Sequence, residues 1–69
     1  MASKRWIVLI DWVDGDVSDS DEVSVMAESG AHAVKKALAR WIPKTHAKWP
    51  HCSVEKIEAM TAARMRRFA

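Results

Sequence analysis

The strongest pattern in the chain lies in residues 5–13, where Trp6, Val8, Ile10 and Trp12 alternate with Ile7, Leu9, Asp11 and Val13. The run is rich in β-branched and aromatic residues and stops at Asp14-Gly15, which predicts a β-strand ending in a turn. Successive side chains of a strand point to opposite faces, so both faces of this one are largely apolar. Such a strand is expected at the centre of a sheet with cover on each side. One helix covers one face only, so the Ile7/Leu9 side is expected to meet another subunit or the C-terminal tail.

Residues 14–22 are dense in Asp and Ser with Gly15, and they predict an acidic loop. Residues 23–28 alternate again, with Val23, Val25 and Ala27 on one face and Ser24, Met26 and Glu28 on the other. They form the return strand of a hairpin with a long connection. Ser29 is a candidate N-cap for a helix over residues 30–42, in which Val34, Ala37, Leu38, Trp41 and Ile42 recur at helical spacing. Pro43 is expected to stop that helix, because it lacks an amide proton and disfavours helix at the preceding residue. A basic loop follows over residues 43–51.

The next segment has two readings. Residues 52–60 form a third strand if a bulge puts Val54 and Ile57 on one face, since residues three apart in a regular strand face opposite ways. Alternatively a helix runs over 53–68, with Val54, Ile57, Thr61, Met65 and Phe68 at intervals of three and four. A two-stranded hairpin is a poor platform for a helix, and that favours the strand. The predicted fold is therefore α+β with the order ββαβ. A three-stranded antiparallel sheet carries a helix on one face, and residues 61–69 form a basic tail or short helix. The order ββαα is the alternative.

Sixty-nine residues make one small domain, near the lower limit of what folds unaided. Cys52 is the only cysteine, so no internal disulfide braces the fold. A hydrophobic content of 49% with four tryptophans predicts a real core. The longest unbroken apolar run, residues 6–10, is far short of the roughly 20 residues a bilayer requires. With no signal peptide legible and one thiol, a cytoplasmic setting is expected.

Charge is sorted by half. Residues 1–28 carry Asp11, Asp14, Asp16, Asp19, Asp21, Glu22 and Glu28 against Lys4 and Arg5. Residues 29–69 carry nine cations against Glu55 and Glu58, so a net charge of +2 hides a strong dipole.

Several chemistries are disfavoured. Read as an EF-hand from Asp14, the acidic segment has Asp19 where Gly belongs and Val25 where a bidentate Glu belongs. The segment is better read as an acidic patch of Asp14, Asp16, Asp19, Asp21 and Glu22, able to dock on a basic partner. His46, His51 and Cys52 leave zinc short of its usual four ligands, with His32 remote in sequence. His51 and Cys52 are sequence neighbours and so diverge in strand or helix, which makes a poor nucleophile–base pair. No glycine-rich phosphate loop is present. No catalytic residue, metal or cofactor is expected.

Two binding classes remain. A protein-binding module, itself a homodimer, would use Ile7, Leu9, Met26 and Trp49, and an isologous pair burying Ile7 and Leu9 would add core area. A nucleic-acid binder would use Lys35, Lys36, Arg40, Lys44, Lys48, Arg64, Arg66 and Arg67, with Trp49 stacking on a base. In brevity, Ala/Arg richness and tryptophan content the chain resembles short accessory or inhibitory proteins of bacteriophages from GC-rich hosts. That resemblance carries no motif and implies no residue roles.

Overall fold

The computed structural model describes residues 3–63 of the chain. In chain order the elements are β1 (Lys4–Asp14), β2 (Val17–Ala27), α1 (Gly30–Lys48) and β3 (Ser53–Thr61). The three strands form one antiparallel sheet in the order β2-β1-β3, so β1 is central, and the architecture is the ββαβ form of an α+β fold.

The β1–β2 connection is far tighter than the predicted loop over 14–22. Asp14 pairs with Val17, leaving a two-residue turn of Gly15 and Asp16. Gly15 has φ 59°, which suits glycine at the first position of a type II′ hairpin turn. Residues 17–22 are therefore strand, contrary to the loop reading. Their Asp and Ser content marks a turn by composition, yet they keep strict alternation. Asp19 and Asp21 fall on the face of Val23, Val25 and Ala27, while Ser18, Ser20 and Glu22 fall on that of Ser24 and Met26.

Helix α1 begins as the sequence predicts. Ser29 is extended and its hydroxyl accepts the amide of His32 at 3.2 Å. It does not stop at Pro43, which lies inside it. Losing the Pro43 amide deprives the Ala39 carbonyl, but both residues are exposed and water can serve that carbonyl. Beyond the proline, Thr45 is buried and its carbonyl accepts the Trp49 amide at 2.6 Å, so tertiary packing holds the last turns. The buried row is Ala33, Ala37, Trp41 and Thr45, an i, i+4 series. Ile42, expected in the stripe, is 42% exposed.

Strand β3 carries the bulge that its sequence requires. Lys56 pairs with Asp11 and Val54 with Trp12, so Glu55 has no opposite number. Val54 and Ile57 consequently share the face of Trp12 and Ile10. That face receives α1, and the core is Val8, Ile10, Trp12, Val25, Ala27, Ala33, Ala37, Trp41 and Cys52. Trp6 packs at its margin, with Nε1 donating to the Ala27 carbonyl at 3.0 Å.

Deleting Glu55 is expected to leave the ladder continuous, changing stability by no more than about 1 kcal/mol. Deleting Glu58 instead moves the preceding residues of β3 to the wrong face and should abolish cooperative unfolding. Thermal melts followed by circular dichroism distinguish the two.

Candidate functional site

Two surfaces carry the residues that sequence reasoning singled out. The first is a cleft between α1 and β2. Lys36, Arg40, Lys44 and Lys48 form an i, i+4 row one position away from the buried row, and so they lie along the flank of α1 that overhangs β2. Lys36 Nζ donates to the Met26 carbonyl at 2.7 Å, and Arg40 Nη1 donates to the Ser24 carbonyl at 3.2 Å. Two outward carbonyls of an edge strand are thereby capped by helix cations, which blocks that part of the edge to another strand. Asp21, Glu22, Ser24, Arg40, Trp41 and Lys44 line the middle of this cleft, and Asp19, Lys48 and Trp49 continue it toward the hairpin turn.

Asp21 organises the cleft. Its Oδ2 accepts Trp12 Nε1 at 3.0 Å and Trp41 Nε1 at 2.6 Å. One carboxylate oxygen therefore ties the central strand to the helix. The Trp12 ring centroid lies 6.4 Å from that of Trp41 and 5.6 Å from that of Trp49, both tilted, within the range where aromatic pairs attract. Trp49 is half-buried against the core on this side of the sheet. It does not join Met26, which points to the opposite face.

The acidic residues expected to form one patch are divided. Asp14 Oδ2 accepts the His51 amide at 3.3 Å, tying the hairpin end to the loop after α1. Asp16 sits in the turn, Asp19 and Asp21 face the helix side, and Glu22 faces the other way. Alternation along a strand prevents these side chains from converging on one cation. His32 and His46 stand about 21 Å apart along α1, and Cys52 is buried while His51 is exposed. Among the described residues no three His, Cys, Asp or Glu side chains gather to hold a metal.

The second surface is the sheet face that α1 leaves uncovered. Across it, Leu9 lies between Glu22 and Glu58, and Ile7 lies between Ser24 and Met60. Asp11 lies between Ser20 and Lys56, with the Ser20 hydroxyl donating to Asp11 Oδ1 at 2.6 Å. Val13 lies between Ser18 and Ser53, and Met26 beside Arg5 is 49% exposed. Ile7, Leu9 and Val13 are half-buried, and no other element among the described residues lies over them; the C-terminal tail beyond residue 63, the other cover expected for this side, lies outside the described residues. Two of the four expected interface residues, Ile7 and Leu9, thus form the apolar middle of this face, with Met26 at its rim. Val13 belongs to this face by the strand parity already read from the sequence, although it was not among the expected interface residues; Met60 and Glu58 were missed, and the alternation of β3 around Ile57 is the signal that would have placed them.

Of the expected nucleic-acid contacts, Lys35 is exposed on α1 beside the capping row, and Arg64, Arg66 and Arg67 lie outside the described residues. No helix among the described residues is long and apolar enough to cross a membrane. No protein-family model, curated protein or solved structure matches this chain.

Replacing Asp21 by Ala strands two indole N–H groups and is expected to cost about 3 kcal/mol. Asp21→Asn keeps an acceptor and should cost roughly half as much. Urea denaturation monitored by tryptophan fluorescence measures both.

Proposed function

We propose that this chain is a non-enzymatic protein-binding module that engages its partner through the uncovered sheet face. The observation that carries this reading is the apolar line of Ile7, Leu9 and Val13 along the central strand, extended sideways by Met60 and Met26. Side chains of this kind gain from being taken out of water, and a centred apolar strip inside a polar rim is the usual anatomy of a binding patch. The rim also selects the partner. Glu22 and Glu58 flank Leu9 from either side, about 10 Å apart across two strand spacings. An apolar segment bracketed by Lys or Arg complements that row.

A face-to-face pair of two copies fits less well. It brings the Glu22–Leu9–Glu58 row of one chain toward the same row of the other, so that acids meet acids. In the cytoplasmic setting proposed for the chain, the buried Cys52 thiol stays reduced. An accessory or inhibitory role, acting by occupying a partner's surface, is consistent with this binding mode.

A second reading, binding of a nucleic acid by α1, draws on a helix with five cations and no acid. Against it, Lys36 and Arg40 are engaged by β2 carbonyls, and Lys44 and Lys48 share a cleft with Asp19 and Asp21. Part of the charge dipole of the sequence is thus turned inward, with Arg40, Lys44 and Lys48 lining one cleft with Asp19, Asp21 and Glu22.

One capture experiment from a lysate of the native cell separates the readings. Wild-type protein, Leu9→Lys and a Lys35→Ala/Lys44→Ala/Lys48→Ala variant are immobilised, after circular dichroism has checked that each is folded. A protein ligand is expected on the wild type and the triple variant, with at least about tenfold less on Leu9→Lys. Undiminished capture by Leu9→Lys contradicts the sheet-face reading. Nucleic acid retained by the wild type and lost by the triple variant establishes the alternative.

A further inference from the structure

The two edges of the sheet are treated differently. On β2, the Ser24 and Met26 carbonyls point outward, because helix cations reach them from outside. Residues of an antiparallel strand direct both backbone groups alternately to one neighbour and then the other. The odd-numbered residues of β2 therefore bond to β1, and they pair with its even-numbered residues. It follows that odd-numbered residues of β1 bond toward β3, whose inward-directed partners are Lys56, Glu58 and Met60. The backbone groups of Ile57 and Ala59 accordingly point out of the sheet along the far edge. Among the described residues, no side-chain hydrogen bond comparable to those of Lys36 and Arg40 reaches Ile57 or Ala59, whereas Thr61 at the end of the strand is engaged.

We propose that β3 is a self-pairing edge, through which two copies of this chain join antiparallel into one six-stranded sheet. The register follows from charge. A two-fold axis at Ile57 pairs Ile57 with its own copy by two N–H···O bonds and sets Lys56 opposite Glu58 of the second chain, twice over. Those flanking pairs are of the non-hydrogen-bonded type, in which side chains lie closest. An axis at Glu58 would instead oppose two glutamates. An axis at Ala59 would set Glu58 against Met60 and offer Lys56 no acid. The bulge at Glu55 ends regular pairing on one side, which confines the joint to the stretch around Ile57.

This surface is distinct from the uncovered face and does not depend on what that face binds. The axis is perpendicular to the sheet, so both helices fall on one side and both uncovered faces join on the other. Each dimer then presents two Leu9-centred rows to a partner, side by side.

Sedimentation velocity across a dilution series tests the proposal on four proteins: wild type, Lys56→Glu, Glu58→Lys and the double swap. Each single reversal places like charges opposite one another at both symmetric contacts and is expected to weaken self-association by at least about tenfold. The double swap restores the pairing and should return to within about threefold of the wild type. Amide hydrogen exchange supplies an independent readout, since the Ile57 amide should be protected only at concentrations where the dimer forms. A wild type that is monomeric throughout the series overturns the proposal. So does a double swap no better than either single variant, or self-association unaffected by any of them.

Discussion

A single carboxylate oxygen, Asp21 Oδ2, receives the indole protons of Trp12 from the central strand and Trp41 from the helix. Much of the architecture follows from that arrangement. A buried indole N–H needs an acceptor, and supplying both from one edge-strand side chain draws α1 toward β2 rather than over the middle of the sheet. Small residues at Ala33 and Ala37 let the helix come close, and Trp41 fills the space between the layers. Trp49 closes the end of the cluster against Trp12.

The charge segregation of the sequence has the same origin. The acids of β2 and the cations of α1 belong to different halves of the chain, yet they border one cleft. Lys36 and Arg40 also cap the Ser24–Met26 stretch of the β2 edge, a device that shields part of an edge strand with the chain's own helix. Part of what looks in sequence like a dipole available for long-range steering is in the folded chain a local complement, with Arg40, Lys44 and Lys48 facing Asp19, Asp21 and Glu22. The surfaces on which the two proposals rest are the sheet face opposite the helix and the edge of β3 around Ile57.

Much of this fold was legible from pattern. The alternation of β1, the Ser29 cap and the apolar spacing of α1 are local signals, and each has its structural counterpart. The spacing of Val54 and Ile57 went further, because sharing one face demanded an extra residue, and Glu55 is that residue. Composition misled where it competed with periodicity: Asp and Ser between residues 17 and 22 read as loop although their alternation is that of a strand. Pro43 misled because packing of Thr45 and Trp49 beyond it is a tertiary effect that no local rule contains. The role of Asp21 was hidden for a related reason. An acid on an inward face is interpretable only once the two tryptophans that need it are known to meet there. For the candidate face, Ile7, Leu9 and Met26 were readable from strand parity, whereas the placement of Trp49 on the other side depended on the helix running past its proline.

The Asp21 arrangement is open to direct observation in solution. Exchange of the four indole N–H protons into heavy water can be followed residue by residue in proton–nitrogen correlation spectra. Trp12 and Trp41, hydrogen-bonded within the cleft, should exchange far more slowly than Trp49. Equal rates for all three would show that the helix is not held to the strand in this way, and the account built on that junction would fail.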